Sequence, residues 1–276
     1  MTANPILVAP GVYAWLQGGA LGEANAGVVI DSDGITVIDC LMVENQVEPF
    51  AKAVETFGCP IRRVVLNCSH IQYVGGSSHF WPASYYGTSA TSDLLDLPPN
   101  VAGYRRLMPA FAETFAEDLT TQPISHIVDA SAALTPAVHL VTAAGPTAAN
   151  LMSLIPGAGV LFAGAVCVFG SVPLGFEADF VAWINALDYI TELGASDLTI
   201  VPGQGPIGGP AEVAALRHYL EACLQAEGDL DRLADGPWAR WQNQEFHAVN
   251  VERAAQNLQG TDAIPLTMLR LVGLAP

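Results

Sequence analysis

Four polar side chains come in close succession after a short apolar run, and their types suit covalent or acid–base chemistry. Residues 64–66 are apolar, which predicts a buried strand, and a Gly-Gly pair closes the segment at residues 75–76. The polar side chains between them are Cys68, His70, Gln72 and Tyr73. This order is typical of a buried strand that delivers a functional loop and then a helix start.

Cys68 and His70 alternate along the chain, so both side chains can face the same way. A histidine beside a cysteine favours the thiolate, which is a nucleophile. The same pair with water could instead hold a single metal ion. The simpler alternative is a small buried thiol beside a hydrogen-bonded histidine, since the sequence shows no third partner for the pair.

The remaining candidate side chains are amides and a phenol. Tyr73 could donate a hydrogen bond to an oxyanion or act as a general acid, or it could simply fill space. Gln72 and Gln204 could hold a substrate carbonyl or a catalytic water, or bond one another. Asn67 and Asn150 are candidates for substrate contacts, although loop hydrogen bonds would equally explain them.

Alternating strands and helices must position these residues. Hydrophobic periodicity predicts helices at 44–57, from 91 onward, and at 99–121, 178–193, 209–225, 228–234 and 250–258. It predicts strands within 6–16 and at 25–31, 34–39, 62–67, 85–87, 126–129, 137–143, 149–155, 159–163 and 198–201. We expect the helix at 99–121 to cover the mouth of a pocket.

The polar loop resembles the metal-binding strand–loop of the metallo-β-lactamase superfamily. There, His-x-His-x-Asp-His is followed by a small apolar residue and Gly-Gly, and the loop binds two metal ions. Here the frame reads Cys-x-His-x-Gln-Tyr-Val-Gly-Gly over residues 68–76, so one ligand of four is kept.

Other blocks resemble the same superfamily from about residue 10 to about residue 260. Segments 25–27 and 37–39 look like its early hairpin. Pro146, Ala165 and Gln204 stand where the superfamily has a histidine, a bridging aspartate and a final histidine. The resemblance implies an α+β fold, a four-layer αββα sandwich. We expect a single domain over residues 1–276, with halves at about 1–125 and 126–276.

The substitutions at the ligand positions argue against the superfamily's metal chemistry. Zinc takes about four nitrogen, sulfur or oxygen ligands, and the side chains of Pro146 and Ala165 offer none. Without a bridging carboxylate, nothing holds two ions around a metal-made hydroxide. We therefore expect no dinuclear site, no bound metal and no cofactor.

Composition limits the partners. The chain of 276 residues has 51% hydrophobic residues and a formal net charge of −17, which disfavours nucleic acid and anionic membranes as partners. Five cysteines without disulfide spacing, and no signal-peptide pattern at the N-terminus, predict a cytoplasmic protein.

The charge-free run 131–176 is broken by Pro and Gly and predicts buried strands. The apolar tail 264–274 would suit a homodimer.

Three functions fit these observations. The first is a metal-independent enzyme, of hydrolase, lyase or cyclase type, that acts on a small carbonyl-containing molecule. The second is a pseudoenzyme that binds a ligand or regulates without turnover. The third is a mononuclear metal hydrolase built on Cys68 and His70.

Overall fold

A computed structural model describes residues 4–193 and 197–276. Two sheets run through this part of the chain. The first has seven strands in sequence order: β1 (Ile6–Ala9), β2 (Val12–Trp15), β3 (Ala26–Asp31), β4 (Gly34–Ile38), β5 (Ile61–Val65), β6 (Ser84–Gly87) and β7 (His126–Ile127). β1 to β4 pair antiparallel, and β4 to β7 pair parallel.

The second sheet has five strands in the order β12-β11-β10-β9-β8. They are β8 (Ala132–Ala133), β9 (His139–Ala143), β10 (Asn150–Ile155), β11 (Val160–Val168) and β12 (Thr199–Gln204). β8 to β11 pair antiparallel, whereas β12 lies parallel to β11. The chain crosses from the first sheet to the second after residue 127. The division of the domain into two halves, at about 1–125 and 126–276, stays a prediction.

The described helices are α1 (Glu44–Glu55), α2 (Ile71–Val74), α3 (Ser89–Leu95), α4 (Val101–Leu107), α5 (Phe180–Leu193), α6 (Pro210–Gln225), α7 (Phe246–Leu258) and α8 (Leu266–Leu271). None of the helices within residues 4–193 and 197–276 is long and apolar enough to cross a membrane.

Strand periodicity produces the layers. Side chains alternate across a strand, so Val64 packs toward α1 while its neighbour Val65 packs between the sheets. In the second sheet, Leu161 packs under the helices on its outer face, and Phe162 packs between the sheets. Two sheets face to face with helices outside form the αββα sandwich, which confirms the expected fold class.

Several boundaries differ from the sequence prediction, each at a proline or glycine. The helix expected over 99–121 is only α4, because Pro109 starts a 3₁₀ turn (Pro109–Thr114). The helix expected at 228–234 is a 3₁₀ turn (Leu230–Arg232). β11 runs five residues beyond Ala163, because Gly164 takes a left-handed conformation (φ 52°) at a register shift and the strand continues.

Candidate active site

A cavity of about 310 Å³ lies where the loop after β5 meets the ends of β11 and β12. Four of the five catalytic candidates line it, and Cys68 is not among the described lining residues. The lining comprises Leu21, Ser69, His70, Ile71, Gln72, Tyr73, Leu94, Leu97, Pro98, Asn100, Tyr104, Leu107, Met108, Pro146, Ala165, Val168, Pro173, Leu174, Phe176, Glu177, Trp183 and Gln204. Its walls are mainly apolar, with a few polar groups.

His70 makes a short polar contact with Glu177 in the cavity wall. Its Nε2 atom lies 2.5 Å from Oε1 of Glu177, which is 107 residues further along the chain. The two side chains are 26% and 42% exposed, so the pair is reachable from solvent and from the cavity. Glu177 was missed in the sequence, and its only signal was its place as the first charged residue after the charge-free run.

The surroundings of the pair favour the charged form of both side chains. Burial alone would lower the pKa of His70, but the neighbouring Cys68 and Glu177 favour the imidazolium and raise this pKa well above its usual 6.5. Burial would likewise raise the pKa of Glu177, yet the bond to His70 and the nearby Arg253 lower it below 4.5. The pair can therefore hold a proton at the cavity wall and transfer it.

Tyr73 is 1% exposed and is one of the residues that line the cavity. Burial, with Cys68 and Asp39 nearby, raises the pKa of Tyr73 well above 10.0, so the phenol stays neutral and remains a hydrogen-bond donor. The hydroxyl lies so close to β12 that a methyl group on Gly203 would overlap it and the Gly164 carbonyl oxygen. Position 203, the first glycine of the Pro-Gly-Gln-Gly segment, therefore requires glycine, because a larger side chain would overlap these two atoms.

The two glutamine side chains differ in exposure and in how far hydrogen bonds fix them. Gln204 is 4% exposed and donates from Nε2 to the Ala20 carbonyl oxygen at 3.0 Å, so half of its amide is committed to the scaffold. Gln72 is half-buried, and its side chain lies beside the Tyr73 hydroxyl. Within the described residues, the two amides do not hydrogen-bond to each other.

Cys68 is 1% exposed and packs in the core beneath the loop. It lies near enough to His70 and Tyr73 to influence the pKa of both. This position suits an electrostatic neighbour of His70 more than a nucleophile that must reach a substrate in the cavity.

Asn67 and Asn150 are fully enclosed and serve the scaffold. The Asn67 side chain donates to the carbonyl oxygens of Leu151 and Ala163 and accepts from the Ala165 amide at 2.8 Å. Asn150 bonds within its own segment, to Thr147 and Ala143. Neither is among the described lining residues, so direct substrate contact through these side chains has no support in the structure.

The cavity does not fit the superfamily's metal pair. Pro146 and Ala165 do line it, at the expected positions, but they present no side-chain donor. Within residues 4–193 and 197–276, no three His, Cys, Asp or Glu residues come together as a metal site. Bound zinc needs about four such donors, and the neutral amides of Gln72 and Gln204 are weak substitutes.

Polar side chains of α7 fix the segment that carries Glu177. Asn250 accepts from the Gly175 amide at 2.9 Å and donates to the Pro173 carbonyl oxygen at 2.7 Å. Arg253 donates from Nε to the Ala178 carbonyl oxygen at 2.8 Å, and Asn257 accepts from the Phe180 amide at 2.9 Å. These residues, at positions i, i+3 and i+7, share one helix face. Polar residues at that spacing among the apolar positions of α7 were the available sequence signal.

No protein-family model matches this chain, and neither does any curated protein sequence. Solved structures do resemble it. A mono-zinc form of the metallo-β-lactamase FIM-1 from Pseudomonas aeruginosa has a TM-score of 0.62 and 17% identity, covering 79% of this chain and 95% of that one. The metallo-β-lactamase DIM-1 has a TM-score of 0.64 and 16% identity, with 79% and 97% covered.

A double mutant of the sec-alkyl sulfatase PisA1 has a higher TM-score, 0.73, at 16% identity. It covers 93% of this chain, and this chain spans 50% of that protein. The class is therefore clear: the chain has the metallo-β-lactamase fold, as the strand–loop resemblance predicted. Within that fold, it carries a histidine–glutamate pair in a cavity whose lining offers no set of metal ligands.

Proposed function

We propose that this protein is a metal-independent enzyme that acts on a small carbonyl-containing molecule in the 310 Å³ cavity. The observation that carries the proposal is the contact between His70 Nε2 and Glu177 Oε1, 2.5 Å apart, in a mainly apolar wall. Structural salt bridges also shift pKa values, but an ion pair at the wall of a concave pocket is a typical arrangement of acid–base catalysts.

The roles follow from the state of each group. The neutral Tyr73 hydroxyl and the Gln72 amide can donate hydrogen bonds to a carbonyl oxygen, where negative charge develops. The His70–Glu177 pair can give a proton to a leaving or carbonyl oxygen and later take one back. Hydrolase, lyase and cyclase reactions all use these steps. Gln204 shapes the inner wall, and Cys68 tunes His70.

The proposal predicts that turnover depends on the pair and not on metal. We would assay p-nitrophenyl butyrate, γ-octalactone and methyl heptanoate with protein held in a chelator. His70→Ala should lower turnover by about 100-fold or more, the usual effect of removing a general acid or base. Glu177→Gln should lower it as well, since it removes the carboxylate that holds the proton on His70.

A matched control is available in the same chain. His79 and Glu44 form a similar pair outside the cavity, with Nε2 and Oε2 2.8 Å apart, and His79→Ala should leave turnover unchanged. Turnover that survives His70→Ala, or that appears only when metal is added, would overturn the proposal.

The second candidate is a ligand-binding protein without turnover. Gln204 is tied to Ala20 and Cys68 is enclosed, so two candidate groups have scaffold roles. Binding of the same probes without any turnover across the panel would favour this function.

A further inference from the structure

We propose that the cavity selects an uncharged, largely apolar molecule, such as a neutral ester, lactone or ketone, over a carboxylate, phosphate or sulfate. The inference deepens the proposed function, since it names the substrate class of the same site. It concerns binding, so it can be tested separately from catalysis.

The walls provide the apolar surface. Leu94 and Leu97, from α3 and the turn after it, are 54% and 60% exposed at the cavity. Leu107 of α4 and the segment with Leu174 and Phe176 also line it. An apolar ligand would remove these side chains from water, which gives about 25 cal/mol for each Å² of apolar surface buried.

The charges leave no partner for an anion. In the described lining, His70 is the one basic side chain and Glu177 the one carboxylate, and the two neutralise each other. Glu177 already occupies the position at His70 that a substrate carboxylate would need. An incoming anion would have to displace this side chain or remain unpaired in an apolar wall, and both are costly.

Two arginines on elements beside the cavity are engaged elsewhere. Arg105 of α4 bonds Glu117 and the carbonyl oxygens of Ala112 and Phe115. Arg253 lies behind the Glu177 segment and bonds its backbone. The formal net charge of −17 further disfavours the approach of anions.

The test compares two isomers of equal size that differ in charge, methyl heptanoate and octanoate. Binding is measured by calorimetry or by ligand-observed NMR at pH 8 on the native protein, with 2-nonanone as a second uncharged probe in case the ester is consumed. The ester should bind the native protein at least about tenfold more tightly than octanoate. Octanoate binding as tight as the ester, or no binding of the ester, would overturn the inference.

A cation placed in the wall should reduce the preference for the uncharged ligand. Leu107→Lys puts an ammonium at the mouth of the cavity, where a half-buried leucine stands. It should strengthen octanoate binding by about tenfold. Val181→Lys, at a 50% exposed position of α5 outside the described lining, adds the same charge and should not. Equal effects of the two lysines would contradict selection at the cavity.

The two proposals can fail separately. If no ester, lactone or ketone is turned over but the ester still binds more tightly than octanoate, the proposed function fails and the substrate class stands. If turnover depends on His70 while carboxylates bind as well as esters, the substrate class fails and the proposed function stands.

Discussion

Asp39 is a buried residue that holds the loop after β5 through a hydrogen bond. It is 3% exposed, has a left-handed backbone (φ 57°), and accepts the Asn67 amide hydrogen at 2.8 Å. Burial raises the pKa of Asp39 from 3.8 to about 8. The folded protein therefore keeps this proton over a pH range in which the unfolded chain releases it, so folding stability falls as pH rises through that range.

Asp39→Asn should remove this pH dependence, because the amide is neutral, keeps an acceptor for Asn67 and tolerates a left-handed backbone. Relative to the native protein, the variant should gain ~1.4 kcal/mol of unfolding free energy per pH unit between about pH 4 and pH 8. Urea unfolding at several pH values measures the gain. Asp235→Asn, at an exposed position, is the control, and parallel profiles for Asp39→Asn and native protein would contradict the prediction.

At the scale of single residues, the sequence identified the part of the site that follows β5 and missed the part that carries Glu177. His70, Gln72 and Tyr73 follow one strand, so spacing alone predicts that they stand together. Glu177 comes from a distant segment, and only the packing of α7 brings it to His70. For Cys68, Asn67 and Asn150 the sequence left both an enclosed and a functional role open, because the residue type does not record which way a side chain turns.

At the scale of elements, α7 acts as a support for the cavity wall. Arg253 is 5% exposed and meets the segment of Glu177 through the Ala178 carbonyl oxygen. Its charge also lowers the pKa of Glu177. The stability that the Glu177 carboxylate contributes is fully present above its usual pKa of 4.5. It is lost as pH falls through the lower pKa that this group has in the folded protein. The ion pair therefore persists into moderately acidic solution.

Arg253→Met should shift the protonation of Glu177 to higher pH, because the nearby cation is removed. NMR titration of the Glu177 carboxyl gives the midpoint. Arg253→Lys should shift it less, since the charge is kept. Arg240→Met, at an exposed position, should leave the midpoint unchanged. A midpoint unaffected by Arg253→Met would show that α7 supports the backbone alone.

Element boundaries were predictable where the periodicity was strong and failed at local breakers. The hairpin β3–β4 and helices α1, α5 and α6 fall within a few residues of their expected limits. Pro109 divides the expected long helix, and the left-handed turn at Gly164 lets β11 continue. Both outcomes depend on tertiary packing that short-range patterns do not encode.

At the scale of the whole molecule, the two sheets and their helices follow the metallo-β-lactamase fold, while the residues at its metal positions do not follow the metal chemistry. Periodicity alone predicted a fold of mixed helices and strands, and the resemblance to the superfamily predicted the sandwich. The same resemblance placed Pro146 and Ala165 at the superfamily's metal-ligand positions, and both residues line the cavity in the structure.

Protein purified without added metal should contain far less than one equivalent of zinc or iron by elemental analysis, because the described cavity offers too few donors. Dialysis against a chelator should leave the melting temperature unchanged. Near-stoichiometric metal that resists the chelator would contradict this expectation and would revive the mononuclear hydrolase of Cys68 and His70.

Asn67 has a consequence for how freely this protein can change. It joins the segment after β5 to β10 and β11 through hydrogen bonds to main-chain atoms, so this link between the sheets does not depend on a side chain that faces the cavity. Replacements at His70 or Gln72 should therefore alter reactivity while leaving the architecture intact. The same fastening makes the chain a suitable host for new chemistry, because the groups that would be exchanged are not those that hold the frame.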